Sequence, residues 1–174
     1  MTSRKLDEIA RRYRVVAMCG VSGAGKTYCA RKLVGQGFVR LSSDEIIWQR
    51  YGDEFPGLDP ETHRQAFLWA AEEIDKRTAA LIAKGERIVV DSTMCKRQRR
   101  EAFRNICRAN GVEPLFVYLK TPLDTIIRRM SERQGTGPDD QIVSEPQLRL
   151  FFSGFQTPEE QASDVITVEE SDRE

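Results

Sequence analysis

Five short apolar runs punctuate the chain: Arg14–Cys19, Phe38–Leu41, Arg87–Asp91, Pro114–Leu119 and Asp164–Val168. Each is too short for a helix and suits a strand buried in a sheet. Longer stretches between them carry helical spacing. Residues 3–12 place Leu6, Ile9 and Ala10 on one side and close on Arg11, Arg12 and Arg14. Tyr28–Val34 continues as a helix until Gly35 and Gly37 stop it, and Ile46–Tyr51 turns helical after a Ser42 or Ser43 cap. Gly52–Leu58 reads as a loop. Asp59-Pro60-Glu61 then supplies an N-cap, a proline at the first helical position and an acidic first turn. The helix this opens runs to about Lys84, with an expected inward stripe of Phe67, Ala70, Ala71, Ile74, Leu81 and Ile82.

Lys96–Arg100 opens another helix, expected to bury Phe103, Ile106 and Cys107; its cations are read as a solvated face, with contact to an anionic acceptor as the alternative. Thr121-Pro122-Leu123-Asp124 reads as an N-cap and N1 proline. The helix it opens turns Ile126, Ile127 and Met130 inward and Arg128, Arg129 and Arg133 outward. Gln134–Asp140 is a glycine-bearing break, and residues 144–152 form a further helix. Strands alternating with helices predict an α/β fold with one parallel sheet and right-handed crossovers.

At 174 residues the chain suits one domain, taken as 1–174. Lys plus Arg equals Asp plus Glu at 27 each, so no global field draws the protein to nucleic acid or membrane, and anion binding must be local. Cys19, Cys29, Cys95 and Cys107 are scattered without C-x-x-C spacing, which argues against zinc and against a disulfide framework. No apolar leader or membrane span is evident. The expectation is a cytoplasmic protein, monomeric or weakly dimeric. His63, the only histidine, is read as a surface residue without a partner, and Trp48 and Trp69 as core or rim residues.

The chemistry concentrates between the first run and its helix. Gly20-Val21-Ser22-Gly23-Ala24-Gly25-Lys26-Thr27 reads G-x-x-x-x-G-K-T, the P-loop pattern, in the strand–turn–helix context the motif requires. Glycines let successive N–H groups turn inward, and the helix N-terminus adds positive potential, so the loop cradles a polyphosphate. Gly20 through Thr27, with Tyr28, are the expected ATP-binding residues. Lys26 reaches the outer phosphates, and Thr27 places its hydroxyl on Mg²⁺. Asp44 follows the second strand at the edge where ligands sit in open α/β sheets, and is the candidate base. Asp91 ends the third strand, an arrangement that supports Mg²⁺ in P-loop enzymes. Arg129 and Arg133 stand at a helix end beside the glycine-bearing hinge, as in a mobile lid covering about residues 129–143.

Taken together, GVSGAGKT, LSSDEI, IVVDST and RRMSER resemble, in order and spacing, the small P-loop kinases related to the 5′-hydroxyl kinase domain of polynucleotide kinase, across about residues 14–168. The resemblance implies a three-layer P-loop fold with sheet order 2-3-1-4-5 and helices on both faces. It implies Asp44 as general base, Arg129 and Arg133 as lid arginines around the donor phosphates, and Asp91 near the acceptor and the metal's waters. The sequence departs from the pattern at Met94, where the D-x-T-N stretch has Asn, and after Asp44, where no basic residue precedes Arg50. The P-loop is also similar to that of gluconate kinases, though other motifs of that family are missing. The reading is an ATP- and Mg²⁺-dependent kinase acting on a hydroxyl of an unidentified small-molecule or nucleotide-like acceptor. Alternatives are a polynucleotide 5′-hydroxyl kinase, with nucleic acid as partner, and an ATP-binding switch or adaptor.

Overall fold

A computed structural model describes residues 3–159 and 162–169. Its centre is strand β1 (Val15–Cys19), whose five residues are all buried. β2 (Val39–Ser42), β3 (Ile88–Asp91), β4 (Pro114–Lys120) and β5 (Val165–Glu169) complete a five-stranded parallel sheet. The strand order is β2-β3-β1-β4-β5, as the resemblance implies.

Alternate residues of the buried strands serve opposite layers. Val16, Met18, Val89, Leu115 and Val117 pack with Leu6 and Ile9 of α1 (Ser3–Arg12) and with Ala30 and Leu33 of α2 (Lys26–Val34). Val15, Ala17, Val90 and Phe116 face the other way. They meet Ile46 and Ile47 of α3 (Ser43–Tyr51), Ala70 and Ile74 of α4 (Pro60–Ala83), and Phe103 and Cys107 of α5 (Arg97–Ala109). A third cluster lies under the P-loop, where Val21 meets Ile126 and Met130 of α6 (Leu123–Ser131) and Leu148 of α7 (Glu145–Ser153). This cluster props the phosphate loop against the helix that carries Arg129.

Several expectations give way to tertiary packing. The buried line of α4 is Ala66, Ala70, Ile74, Thr78 and Ile82. Phe67 is 45% exposed and lies edge-on to Phe55. The segment Gly52–Gly57, read as loop, is a 3-10 turn, and it gives His63 the partners the sequence did not reveal. The imidazole stacks on Phe55 with centroids 4.3 Å apart, and its Nε2 lies 2.7 Å from the Phe55 carbonyl oxygen.

Helix α5 does not simply present a solvated basic face. Lys96 and Arg97 are exposed, but Arg100 and Arg104 are fully buried and Ile106 only partly so. The guanidinium of Arg100 donates to the Met94 carbonyl at 2.8 Å, and that of Arg104 to both oxygens of Asp164 at 2.5 and 3.0 Å. Each long stem fills core volume while its head meets fixed acceptors, the condition under which charge tolerates burial.

Thr121 does not cap α6. Pro122 occupies the cap position, and the Thr121 hydroxyl donates instead to the Ala24 carbonyl at 3.3 Å, tying the end of β4 to the P-loop. Among the described residues, no helix is long and apolar enough to cross a membrane.

Candidate active site

The loop between β1 and α2 is built from conformations few side chains tolerate. Gly25, the residue capping α2, has φ 93° and ψ 16° in the left-handed region. Gly23 has φ 82°, and a Cβ there would lie 3.1 Å from Met130 Cγ and 3.2 Å from Ile126 Cγ2. Left-handed residues interspersed in such a loop turn successive N–H groups toward one concave side, the geometry that receives an anion.

A cavity of about 480 Å³ opens there, lined by Ser22, Lys26, Thr27, Asp44, Arg133 and Asp139 among others. The structure therefore brings the P-loop lysine and threonine, the candidate base and both arginines of the α6 end into one wall, since Arg129 lines it too. Arg129 and Arg133, expected to point outward, face this cavity. Tyr28, a residue 59% exposed, also lines it, with the Lys32 ammonium 4.6 Å from its ring centroid.

Asp44 reaches the cavity because the cap of α3 is set at the strand end. Ser42 accepts the Glu45 N–H at 3.3 Å, so the helix starts at Ser43 and its first turn carries Asp44 over the sheet edge. Surrounding protein atoms desolvate this carboxyl and push it from the ordinary 3.8 up to about 6. Lys26 opposes that rise, while Asp91 and Asp139 reinforce it. Burial likewise lowers the Lys26 ammonium, with Asp91 and Asp44 pulling it back up. Lys26 Nζ donates to the Val21 carbonyl at 3.0 Å.

Asp91 is 4% exposed and lies near Lys26 and Asp44. Its neighbour in space is one the sequence reading missed. Arg40 of β2 donates to Asp91 Oδ2 through Nε at 3.0 Å and Nη2 at 2.6 Å. Nη2 also reaches Asp139 in the connection between α6 and α7, at 2.5 Å. Strand alternation was a usable signal, because Arg40 and Ser42 share a face of β2 and Ser42 registers with Asp91. Nothing local marks Asp139.

Met94 holds a left-handed φ of 47°, a region in which Asn and Asp are enriched. Its side chain is 1% exposed and packs in the core, so this position gives the cavity no polar group. Lys96 and Arg97 lie on a separate surface beside Gln156, which caps α5 by accepting the Arg97 N–H at 2.8 Å.

The set suits a polyphosphate and its cation. Lys26, Arg129 and Arg133 converge on one cavity with the P-loop, and Thr27 and Asp91 supply hard oxygen donors beside it. Among the described residues no three His, Cys, Asp or Glu gather as a metal site. An ion here would complete its shell with phosphate oxygens and water, the habit of Mg²⁺.

A parallel 2-3-1-4-5 sheet with a glycine-rich loop feeding α2 defines a three-layer α/β P-loop fold. The chain belongs to the AAA domain family, whose model matches residues 15–158. No curated protein sequence matches it.

Solved structures show the same fold at low identity. A gluconokinase from Sinorhizobium meliloti 1021 is 19% identical with a TM-score of 0.68, covering 91% of this chain and 84% of its own. A sugar kinase from Janibacter sp. HTCC2649 is 20% identical with a TM-score of 0.66, covering 90% and 85%. The APS kinase CysC of Mycobacterium tuberculosis, in complex with AMPPNP and APS, is 18% identical with a TM-score of 0.59, covering 91% and 89%. None of these three is a polynucleotide kinase.

Proposed function

We propose that the protein is an ATP- and Mg²⁺-dependent kinase that phosphorylates a hydroxyl of a small-molecule acceptor, as one P-loop kinase domain with a lid over about residues 129–143. The observation that carries the reading is the single cavity shared by Lys26, Thr27, Asp44, Arg129 and Arg133. A phosphate loop alone would serve many functions. A desolvated carboxylate facing it from the first turn of α3, just past the end of β2, is what a hydroxyl acceptor requires.

In this reading the P-loop amides and Lys26 hold the donor phosphates. Thr27 and Asp91 would hold Mg²⁺, which would supply charge neutralisation at the phosphates. Asp44 accepts the proton of the acceptor hydroxyl as its oxygen bonds to the γ-phosphorus and the bond to the β-phosphate oxygen breaks. Arg133, with Arg129, offsets the charge that spreads over the transferring group. The work is positioning and electrostatics, which explains why few reactive side chains suffice. A cytoplasmic location belongs to the same proposal.

The decisive experiment is transfer from γ-labelled ATP to a panel of sugars, sugar acids, nucleosides, adenosine phosphosulfate, antibiotics and 5′-hydroxyl oligonucleotides. The expected result is labelling of a small hydroxyl compound with little ATP consumption in its absence. Labelling of the oligonucleotide alone would make the protein an end kinase. ATP binding with no transfer to any member, and hydrolysis indifferent to them all, would favour the switch or adaptor.

A further inference from the structure

Beside the cavity runs a charge network whose centre has no part in the proposed reaction. Arg40 lies four positions before Asp44, and its side chain is only 12% exposed. Nε and Nη2 both donate to Asp91 Oδ2, at 3.0 and 2.6 Å, so Arg40 leaves Oδ1 unengaged. Nη2 also donates to Asp139 Oδ1 at 2.5 Å, and Nη1 lies 3.7 Å from Glu45. The second oxygen of Asp139 accepts from Arg31 of α2 at 2.7 Å. One guanidinium thus holds the carboxylate that ends β3 and a carboxylate of the 3-10 turn Pro138–Asp140, which packs on α3.

This differs from an ordinary surface pair in two ways. Arg40 and Asp91 are both largely out of water, where charge-assisted, forked hydrogen bonds are strong and directional. Asp139 also brings a third carboxylate toward a site that already holds Asp44 and Asp91. The shared guanidinium offsets that repulsion from the side of the site, as Arg31 does from α2. The rest of the segment has its own frame. The Gln134 and Thr136 N–H groups and the Thr136 hydroxyl all donate to Asp140 Oδ2, at 3.0 to 3.2 Å, and Arg133 donates to the Gln141 carbonyl at 3.0 Å. The loop is thus braced internally, and its ion pairs with the body, from Arg40 and Arg31, both run through Asp139.

We propose that Arg40 is a positioning residue that couples seating of the lid turn to the orientation of the Asp91 carboxylate. The Asp91 oxygen facing the donor site is set when the lid is down. The role of Asp91 rests on the kinase reading above. The attachment of the lid through Arg40 does not.

Hydrogen–deuterium exchange of residues 133–141 in the nucleotide-free full chain tests the attachment. Asp139→Asn leaves the buried Arg40–Asp91 pair intact, so the fold is retained. Lid exchange should rise roughly tenfold, the scale of losing a charge-assisted hydrogen bond. Arg40→Lys keeps the charge but cannot donate as a fork. It should raise lid exchange by less, because Arg31 still holds Asp139, and the double variant should not exceed Asp139→Asn, with the amides of β1 and β3 unchanged throughout.

ATP affinity titrated against Mg²⁺ tests the coupling. Both single variants should shift the Mg²⁺ half-point severalfold. Unchanged lid exchange in the singles, additive effects in the double, or an unmoved Mg²⁺ half-point would each overturn the proposal. Failure of the parent chain to bind ATP would instead sink the kinase reading and the role of Asp91, while lid exchange would still decide whether Arg40 holds the turn.

Discussion

Replacing Asp44 by Asn separates the electrostatics of the site from its chemistry. Desolvation, helped by Asp91 and Asp139 and opposed by Lys26 and Arg133, raises this carboxyl from 3.8 to about 6. The folded state therefore holds the proton more tightly than the unfolded chain. The stability this confers is complete below about pH 4 and is lost as pH rises through about 6. At about 1.36 kcal/mol per pH unit, the ionised carboxylate costs the free protein up to about 3 kcal/mol at neutral pH. Water in the open cavity makes that an upper figure.

Asparagine has the shape of the neutral acid and cannot ionise. Asp44→Asn should therefore be more stable than the parent at pH 7.5, by up to about 3 kcal/mol. That corresponds to roughly 6–12 °C in Tm for a chain of this size. The gain should shrink toward zero at pH 4, as read by thermal or urea melts from pH 4 to 8 without nucleotide. The same variant should retain ATP binding and lose about 10²–10⁴ in turnover, the usual cost of removing a general base. Equal or lower stability at pH 7.5, or a difference that does not grow between pH 4 and 6, would refute the reasoning. Asp44 would then be a solvated or well-paired carboxylate rather than one held ready by its surroundings.

For the parent, kcat/KM should rise with pH through a limb near 6 as Asp44 loses its proton, and a flat profile from pH 5 to 7 would contradict its role as base. Arg133→Gln should lower kcat by roughly 10³ with a smaller change in ATP affinity, the pattern of a contact made mainly in the transition state. An unchanged kcat would remove Arg133 from the reaction. Arg104→Ala should destabilise by about 3–5 kcal/mol in urea unfolding, because Asp164 is left buried without its counter-charge. Arg104→Met combined with Asp164→Leu should recover most of that loss.

The apolar runs announced five strands starting near 14, 38, 87, 114 and 164, and the strands begin at 15, 39, 88, 114 and 165. Local physics suffices there, because an apolar run bounded by glycines and caps has few stable alternatives. The P-loop is equally local, since its residues must all lie within one turn. Asp44 and Asp91 were legible because a strand end fixes which edge of the sheet a residue occupies.

Tertiary structure alone decided which distant charges meet. Arg40 finds Asp91 and Asp139 across 51 and 99 positions, separations over which no periodicity carries information. Helical spacing marked the cations of α5 but not the burial of Arg100 and Arg104, which depends on where the Met94 carbonyl and Asp164 arrive from elsewhere in the chain. On α4 it marked Phe67 as apolar without showing that small side chains would take the core-facing line. Sequence by itself determined the elements, their order and the phosphate loop. The meeting of Asp91 and Asp139 on the Arg40 guanidinium came only with packing, because an ion pair exists only where the fold brings its partners together.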